Sequence, residues 1–256
     1  MSQIINCHSS NKNKFSIALD YHENTKHEQN RLDYSYNENI SYKTYPNAEK
    51  IMIKTEKYII ENDFTSCLLS RKSVRDFTGE EISIENLLDI LYLSYGINKD
   101  NNMFFESRMV PSAGARYPLE IYIAVFKCDK LESGIYHYNI ISNCLEFIRK
   151  GDYRNKLYEY CNKQDFISNC SAAIIITSVF ERTMEKYGER GYRYILLDAG
   201  HLGQNIYLTA SHLKLGTVAI GGFQDKKINE ILGIDGLIET SLYIIALGQP
   251  QVLSYV

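Results

Sequence analysis

The chain has 256 residues, 45% of them apolar and 23% charged, which is enough apolar material for a sizeable core and rules out disorder over most of the length. A net charge of −3 and a pI of about 6.1 exclude a general nucleic-acid binder. No apolar run approaches the roughly 20 residues that cross a bilayer, and the opening MSQIINCHSSNKNK lacks the apolar centre of an export signal, so a cytoplasmic protein with no membrane contact is expected.

The first 50 residues are polar and rich in Asn, Lys, Glu and Tyr. Such a stretch cannot build its own core, so residues 1–60 are expected to be mobile or an arm lying on the domain formed by residues 61–256. KIMIKTEKYII alternates weakly and reads as an edge strand. From Phe64 the pattern becomes regular. FTSCLLSRKSVRDF reads as a short helix running to a turn at Gly79. In SIENLLDILYLSYGI, Ile84, Leu87, Leu88, Leu91 and Tyr95 keep helical spacing behind a Ser83 cap. PLEIYIAVFKC predicts a central strand, and GIYHYNIISNCLEFI a hairpin turning near Ser142-Asn143. DYRNKLYEYCN reads as a short helix, and AAIIITSVF as a strand covered on both faces.

A long helix follows, with Tyr192, Ile195, Leu196, Ala199, Leu202, Ile206, Ala210 and Leu213 as its apolar stripe. Gly200 and Gly203 permit close approach of another helix, and Gly216 fits its stop. TVAIGGF is a strand broken by two glycines; DKKINEILG is a helix capped by Asp225 and closed by Gly233; TSLYIIALGQP is a last buried strand. The sum is an α+β domain with helices flanking one mainly antiparallel sheet.

Four stretches can carry chemistry. In SRKSVRDF, Arg71, Lys72 and Arg75 with Ser73 would sit close together on a helical turn, as a fork for phosphate or as a solvated basic face. Pro111, Ser112, Ala113 and Gly114 form a small-residue loop that lets a flat ligand approach the backbone, or is only a turn. Ala219, Ile220, Gly221 and Gly222 end a strand without the spacing of a dinucleotide fingerprint. In EKYGERGYRY, Lys186 and Tyr187 can be a proton-transfer pair, because an ammonium favours the phenolate. No nucleophile triad is suggested; His201 reads as a hydrogen-bonded core or interface residue, and His22 and His27 lack acidic partners at metal spacing. The six cysteines form no CxxC pair and read as reduced thiols, so no metal is expected.

Taken in order and spacing, SRKSVRDF, PSAGARYPLEIYI, GIYHYN, EKYGERGYRYILLDAGHLGQNIYL and LGTVAIGGF resemble the nitroreductase superfamily. Within it they look like the SagB-type azoline dehydrogenases of thiazole/oxazole-modified peptide biosynthesis, from about Phe64 to Pro250; YHENTKH and SYKTYP in the arm also look family-like. The resemblance implies a nitroreductase-like FMN-binding fold in an intertwined homodimer. By position, Arg71, Lys72, Ser73 and Arg75 would hold the FMN phosphate and ribityl chain. Pro111, Ser112, Ala113 and Gly114 would touch the same flavin from the partner subunit, and Ala219, Ile220, Gly221 and Gly222 would lie along its ring. The helix from Tyr192 to Leu213 would be the dimer helix.

Lys186 and Tyr187 would be the catalytic pair: the flavin takes a hydride from an azoline ring and Tyr187 takes the proton. After Gly248 the chain reads QPQVLSYV, without the basic pair that many nitroreductases carry there, so phosphate binding would rest on Arg71 to Arg75. Gly221 stands where nitroreductases often have an acid, which disfavours an NAD(P)H-fed reductase of small electrophiles; oxygen is the acceptor the resemblance implies. The expected partners are an azoline-containing peptide and a cyclodehydratase complex. The alternatives are that reductase and a non-catalytic scaffold subunit of a synthetase complex.

Overall fold

The computed structural model describes residues 16–26, 43, 50, 63–98 and 107–251. Apart from Lys50, the expected edge strand lies outside the described residues, as do His27 and Cys7. Of the polar N-terminal stretch, Ser16–Thr25 forms a helix, α1. The next helix, α2, is Asp63–Ser70. It stops there, and the helical turn expected through Arg75 is absent. Ser73 instead bridges Thr217 in parallel, and Val74 N donates to Thr217 O at 2.9 Å, so this non-local pairing draws the chain out straight.

Helix α3 is Ile84–Tyr95, opened by Ser83, whose Oγ accepts from Asn86 N at 3.1 Å. Leu87, Leu91 and Tyr95 are buried as the spacing predicts, while Leu88 is exposed. Ile97–Asn98 (β1) pairs with Ser107–Arg108 (β2). Leu119–Val125 is β3, and Gly134–Asn139 (β4) turns into Cys144–Lys150 (β5) with Asn143 at φ 49°. Arg154–Tyr160 is α4, and Ala172–Val179 is β6. Glu181–Tyr187 (α5) leads into the long helix α6, Arg190–His212. Gly216–Ile220 is β7, Asp225–Leu232 is α7, and Glu239–Gly248 is β8.

Six strands form one sheet in the order β5-β4-β3-β6-β8-β7, every neighbouring pair antiparallel. Strand alternation sends Ile174 and Ile176 into one core with Ile90, Leu91, Ile195, Leu202 and Ile206 of α3 and α6. Ala173 and Ile175 enter a second core with Leu157 of α4 and Ile228 and Ile231 of α7. Coverage on both faces is why β6 reads as an unbroken apolar run.

Four local expectations are corrected. Leu196 is 41% exposed, so it leaves the buried stripe of α6. After α6 it is Lys214, at φ 59°, that takes the left-handed turn; Gly216 opens β7, where a Cβ would stand 2.8 Å from Val74 Cγ1. Gln224 occupies the cap position of α7 and Asp225 its first turn, where a carboxylate suits the helix dipole; Gly233, at φ 79°, closes the helix as expected. Gly203 admits Tyr243 of β8 rather than a helix, with a Cβ there 3.1 Å from Tyr243 Cε1, and Gly200 faces open space. Among the described residues, no helix is long and apolar enough to cross a membrane.

Candidate active site

The extended segment after α2 is held on two sides. Thr217 grips Ser73 and Val74, while Thr78 N donates to Gln249 O at 3.0 Å and Gln251 N to Asp76 O at 2.8 Å. This pinning opens a cavity of about 660 Å³ whose lining includes Arg71, Lys72, Ser73, Arg75, Lys214 and Gln251. Among the described residues no carboxylate pairs with any of these four cations. Unpaired cations around a hydroxyl are the donor set a phosphate monoester requires.

Tyr207 ties the cavity to the end of β7. Its hydroxyl lies 3.1 Å from Ser73 Oγ and accepts from Ala219 N at 2.7 Å, and the Arg71 guanidinium stands 5.6 Å from its ring centroid. Beyond Ala219 the strand gives out into Gly221, around whose missing Cβ there is nothing within 4 Å, and Gly222, whose carbonyl accepts from Asn162 Nδ2 at 3.1 Å. The side chain of Ile220 is buried in the second core, so only its backbone is offered to a ligand. Phosphate donors at one end and open glycine backbone at the other fit a phosphorylated flat ring such as FMN.

The small-residue loop lies elsewhere, against the middle of α6. Ser112 Oγ donates to Asp198 Oδ2 at 2.6 Å and accepts from Tyr117 N at 2.9 Å. Burial pushes the Asp198 carboxyl up, with the Ser112 and Ala113 hydrogen bonds only partly offsetting it. Ala113–Ala115 then turns tightly, with Gly114 at φ 60°. At the point where a Gly114 Cβ would stand, Lys186 Nζ lies 2.7 Å away and Tyr187 OH closer still. Lys186 Nζ is 5.4 Å from the Tyr187 ring centroid, and the Tyr187 ring meets Tyr194 edge-on at 5.0 Å.

Two glycines explain how the pair is aimed. Gly188, at φ 59°, ends α5, and Gly191 lets α6 start against Met184, whose Cα would be 2.9 Å from a Cβ there. Helix α1 lies on the same corner: Ile17 N and Ala18 N donate to the Glu189 carboxylate at 3.2 and 2.8 Å. His22 is buried, with Nδ1 3.0 Å from Tyr192 OH and Nε2 3.3 Å from Thr240 Oγ1.

The expected residues thus form two groups, spaced along α6. Arg71, Lys72, Ser73 and Arg75 share a cavity linked by Tyr207 to the Ala219–Gly222 strand end. Gly114 meets Lys186 and Tyr187, with Ser112 anchored beside them. Lys214, Tyr207 and Asp198 were missed. Lys214 follows the helix end in sequence, a position where a cation is ordinarily read as a dipole partner; Asp198 interrupts an apolar stripe, and that was the available signal. His201 is exposed rather than in the core. Among the described residues no His, Cys, Asp and Glu cluster could hold a metal, and Cys67, Cys128, Cys144, Cys161 and Cys170 are free.

The fold is nitroreductase-like, and the nitroreductase family matches residues 68–249. The chain belongs to that family, and its role is that of an oxidoreductase. The Methanocaldococcus jannaschii protein MJ1384, named as a nitroreductase, is 38% identical over 65% of this chain and 82% of its own length. The trifolitoxin-processing protein TfxB of Rhizobium leguminosarum is 31% identical over 65% of this chain, which spans only 48% of TfxB. A chain of the Escherichia coli microcin synthetase McbBCD complex, solved with truncated pro-MccB17 bound, superposes with a TM-score of 0.77 over 96% of each chain at 19% identity, and shows the shared fold.

Proposed function

We propose that the protein is an FMN-dependent dehydrogenase that converts azoline rings in a ribosomally made peptide to azoles, working as a cytoplasmic homodimer beside a cyclodehydratase. The observation that carries the reading is the meeting of Lys186 and Tyr187 at Gly114. A phenol and an ammonium converging on a small-residue loop are the parts of a proton-accepting site. FMN, when bound, would supply the hydride acceptor. Arg71, Lys72, Ser73, Arg75 and Lys214 would hold its phosphate, and the backbone from Ala219 to Gly222 would be offered to its ring. Tyr187 takes the ring proton, with the Lys186 ammonium beside it at the same loop.

The separation of the two groups supports a dimer. Asp198, which anchors the loop, and Tyr207, which anchors the cradle, are nine residues apart on α6, about 14 Å at the helical rise. The loop and the Lys186–Tyr187 pair of one copy then serve the flavin cradled by the other. Leu197 on α6 is 56% exposed, and Phe64 and Leu69 on α2 are 65% and 72% exposed. These exposed apolar side chains and the open space at Gly200 are surface that a second copy would cover. The names of TfxB and the McbBCD complex support peptide processing as the setting.

The test is incubation of the yellow protein with a thiazoline-containing peptide and measurement of a two-hydrogen mass loss. NADH consumption with nitroaromatics and no such loss would replace this reading with a small-molecule reductase. A colourless protein without affinity for flavin would leave only a scaffold role.

A further inference from the structure

A second concavity, of about 420 Å³, opens beside the Lys186–Tyr187 corner and is lined by Arg108, Arg116, Tyr117, Glu120, His137 and Arg182 among others. Three guanidiniums face it. Arg108 is stacked between two phenol rings, with its guanidinium carbon 4.5 Å from the Tyr95 centroid and 4.7 Å from that of Tyr117. Its Nη1 is buried and has no hydrogen-bond partner among the described residues. A buried, unmatched donor on a charged group is costly unless something fills it. Arg116 is exposed, and among the described residues it spends only its Nε, on the Arg182 carbonyl at 2.6 Å.

Glu120, the carboxylate that lines this concavity, is already engaged. Glu120 pairs with Arg182 Nη1 at 2.5 Å and with His137 Nε2 at 3.1 Å. His137 Nδ1 in turn meets Glu146 at 2.9 Å. Burial pushes Glu120 up, but the His137 and Arg182 contacts outweigh it and hold the carboxyl below its ordinary range. Three arginines outnumber Glu120 and Glu146, and among the described residues Arg108 and Arg116 have no ion-pair partner.

Its elements are those of the proposed active site. Arg182 precedes Lys186 by one turn on α5, so their Cβ atoms are about 6 Å apart on one face. Arg116 follows Gly114 by two residues. An extended peptide advances about 3.4 Å per residue, so this 6 Å spacing between the two helix positions corresponds to about two residues of substrate, the offset adopted for the subsite.

We propose that Arg108, Arg116 and Arg182 form a carboxylate subsite for the peptide substrate, taking an acidic group about two residues from the ring that is oxidised. The proposal rests on the reading above for its substrate. The carboxylate comes from an Asp or Glu side chain or from a free C-terminus, and a planar guanidinium matches either.

The experiment uses the flavin-loaded full chain and three thiazole-containing peptides, which bind as product and do not turn over. One carries Glu two residues from the ring with an amidated C-terminus, the second carries Gln there, and the third carries Gln with a free carboxylate ending the chain at that position. Calorimetric Kd values are expected to favour the Glu peptide, or the free-acid peptide, over the Gln peptide by about tenfold. In Arg116→Gln that ratio falls toward one, and in Arg108→Gln it falls similarly if circular dichroism shows the fold retained. Preference for the Glu peptide alone assigns the side-chain source; preference for the free acid alone assigns the C-terminus. Equal Kd values for all three peptides in the wild type overturn the proposal, as does a tenfold preference that survives Arg116→Gln. The binding ratio is read without turnover. A preference that Arg116→Gln abolishes sustains the subsite even if the wild type oxidises no azoline, and that failure would count against the proposed activity alone.

Discussion

Gly114 and Tyr187 compete for one volume: the phenol oxygen of Tyr187 occupies the place where any side chain at 114 would begin, and Gly114 holds a left-handed φ of 60° besides. Gly114→Ala therefore does two things. The backbone cost of an L residue there is about 1 kcal/mol, which a thermal melt reads as a fall of a few degrees. The new methyl also pushes away the tips of Tyr187 and Lys186, both at the ends of flexible side chains. Azoline oxidation should drop at least tenfold while flavin absorbance is kept. A variant that melts normally and turns over normally would show that the close approach has no role.

Tyr187→Phe keeps the ring, its edge-on packing on Tyr194 and the space beside Gly114, and removes only the hydroxyl. A positioned general base contributes about 10²–10⁴-fold. The protein should stay yellow and lose activity within that range, measured by the rate of two-hydrogen mass loss at saturating peptide. Full activity in this variant would remove Tyr187 from the chemistry.

Tyr207→Phe tests the link between cradle and strand. The hydroxyl accepts the Ala219 N–H and touches Ser73, so its loss strands a backbone donor at a cost of about 1–3 kcal/mol. Ser73 also loses the contact that fixes its hydroxyl at the cavity. Both a lower melting temperature and a higher Kd for FMN are expected, the second read by equilibrium dialysis. An unchanged FMN affinity would separate the strand end from cofactor binding.

The elements with a strong period were legible in the sequence: α3 with its Ser83 cap, the buried β6, and nearly the whole length of α6. What failed did so where a partner distant in sequence decided the outcome. Arg71 to Arg75 carry helix-compatible residues, yet Thr217, some 140 positions later, takes Ser73 and Val74 into a bridge. Leu196 belongs to the apolar stripe by spacing, but the second face it implies is not covered within one chain. The motifs of the candidate site were legible as segments, in order. That Gly114 belongs with Lys186 and Tyr187, and that Tyr207 and Lys214 complete the proposed cradle, depends on how α6 crosses the sheet, which no single segment encodes.

His22 supplies a pH dependence for the docking of α1 on the corner that holds Lys186 and Tyr187. Its ring is packed edge-on against Phe180 and shares hydrogen bonds with Tyr192 and Thr240. Burial, with the Lys26 ammonium adding to it and Glu23 opposing, lowers its pKa from 6.5 to about 4. The neutral form is thus the one that docks. Released from the site, the imidazole would bind a proton near 6.5 whereas the docked ring resists until about 4, so acid favours release. Docking stability is fully present above about pH 6.5 and is lost progressively as pH falls toward 4. Hydrogen exchange of the α1 amides, followed from pH 7.5 to 4.5 after correction for intrinsic rates, should show protection falling through that window. In His22→Phe, which keeps the packing without the titrating group, the fall should vanish. Protection that stays flat with pH in the wild type, or falls equally in both proteins, would mean that His22 does not govern the contact.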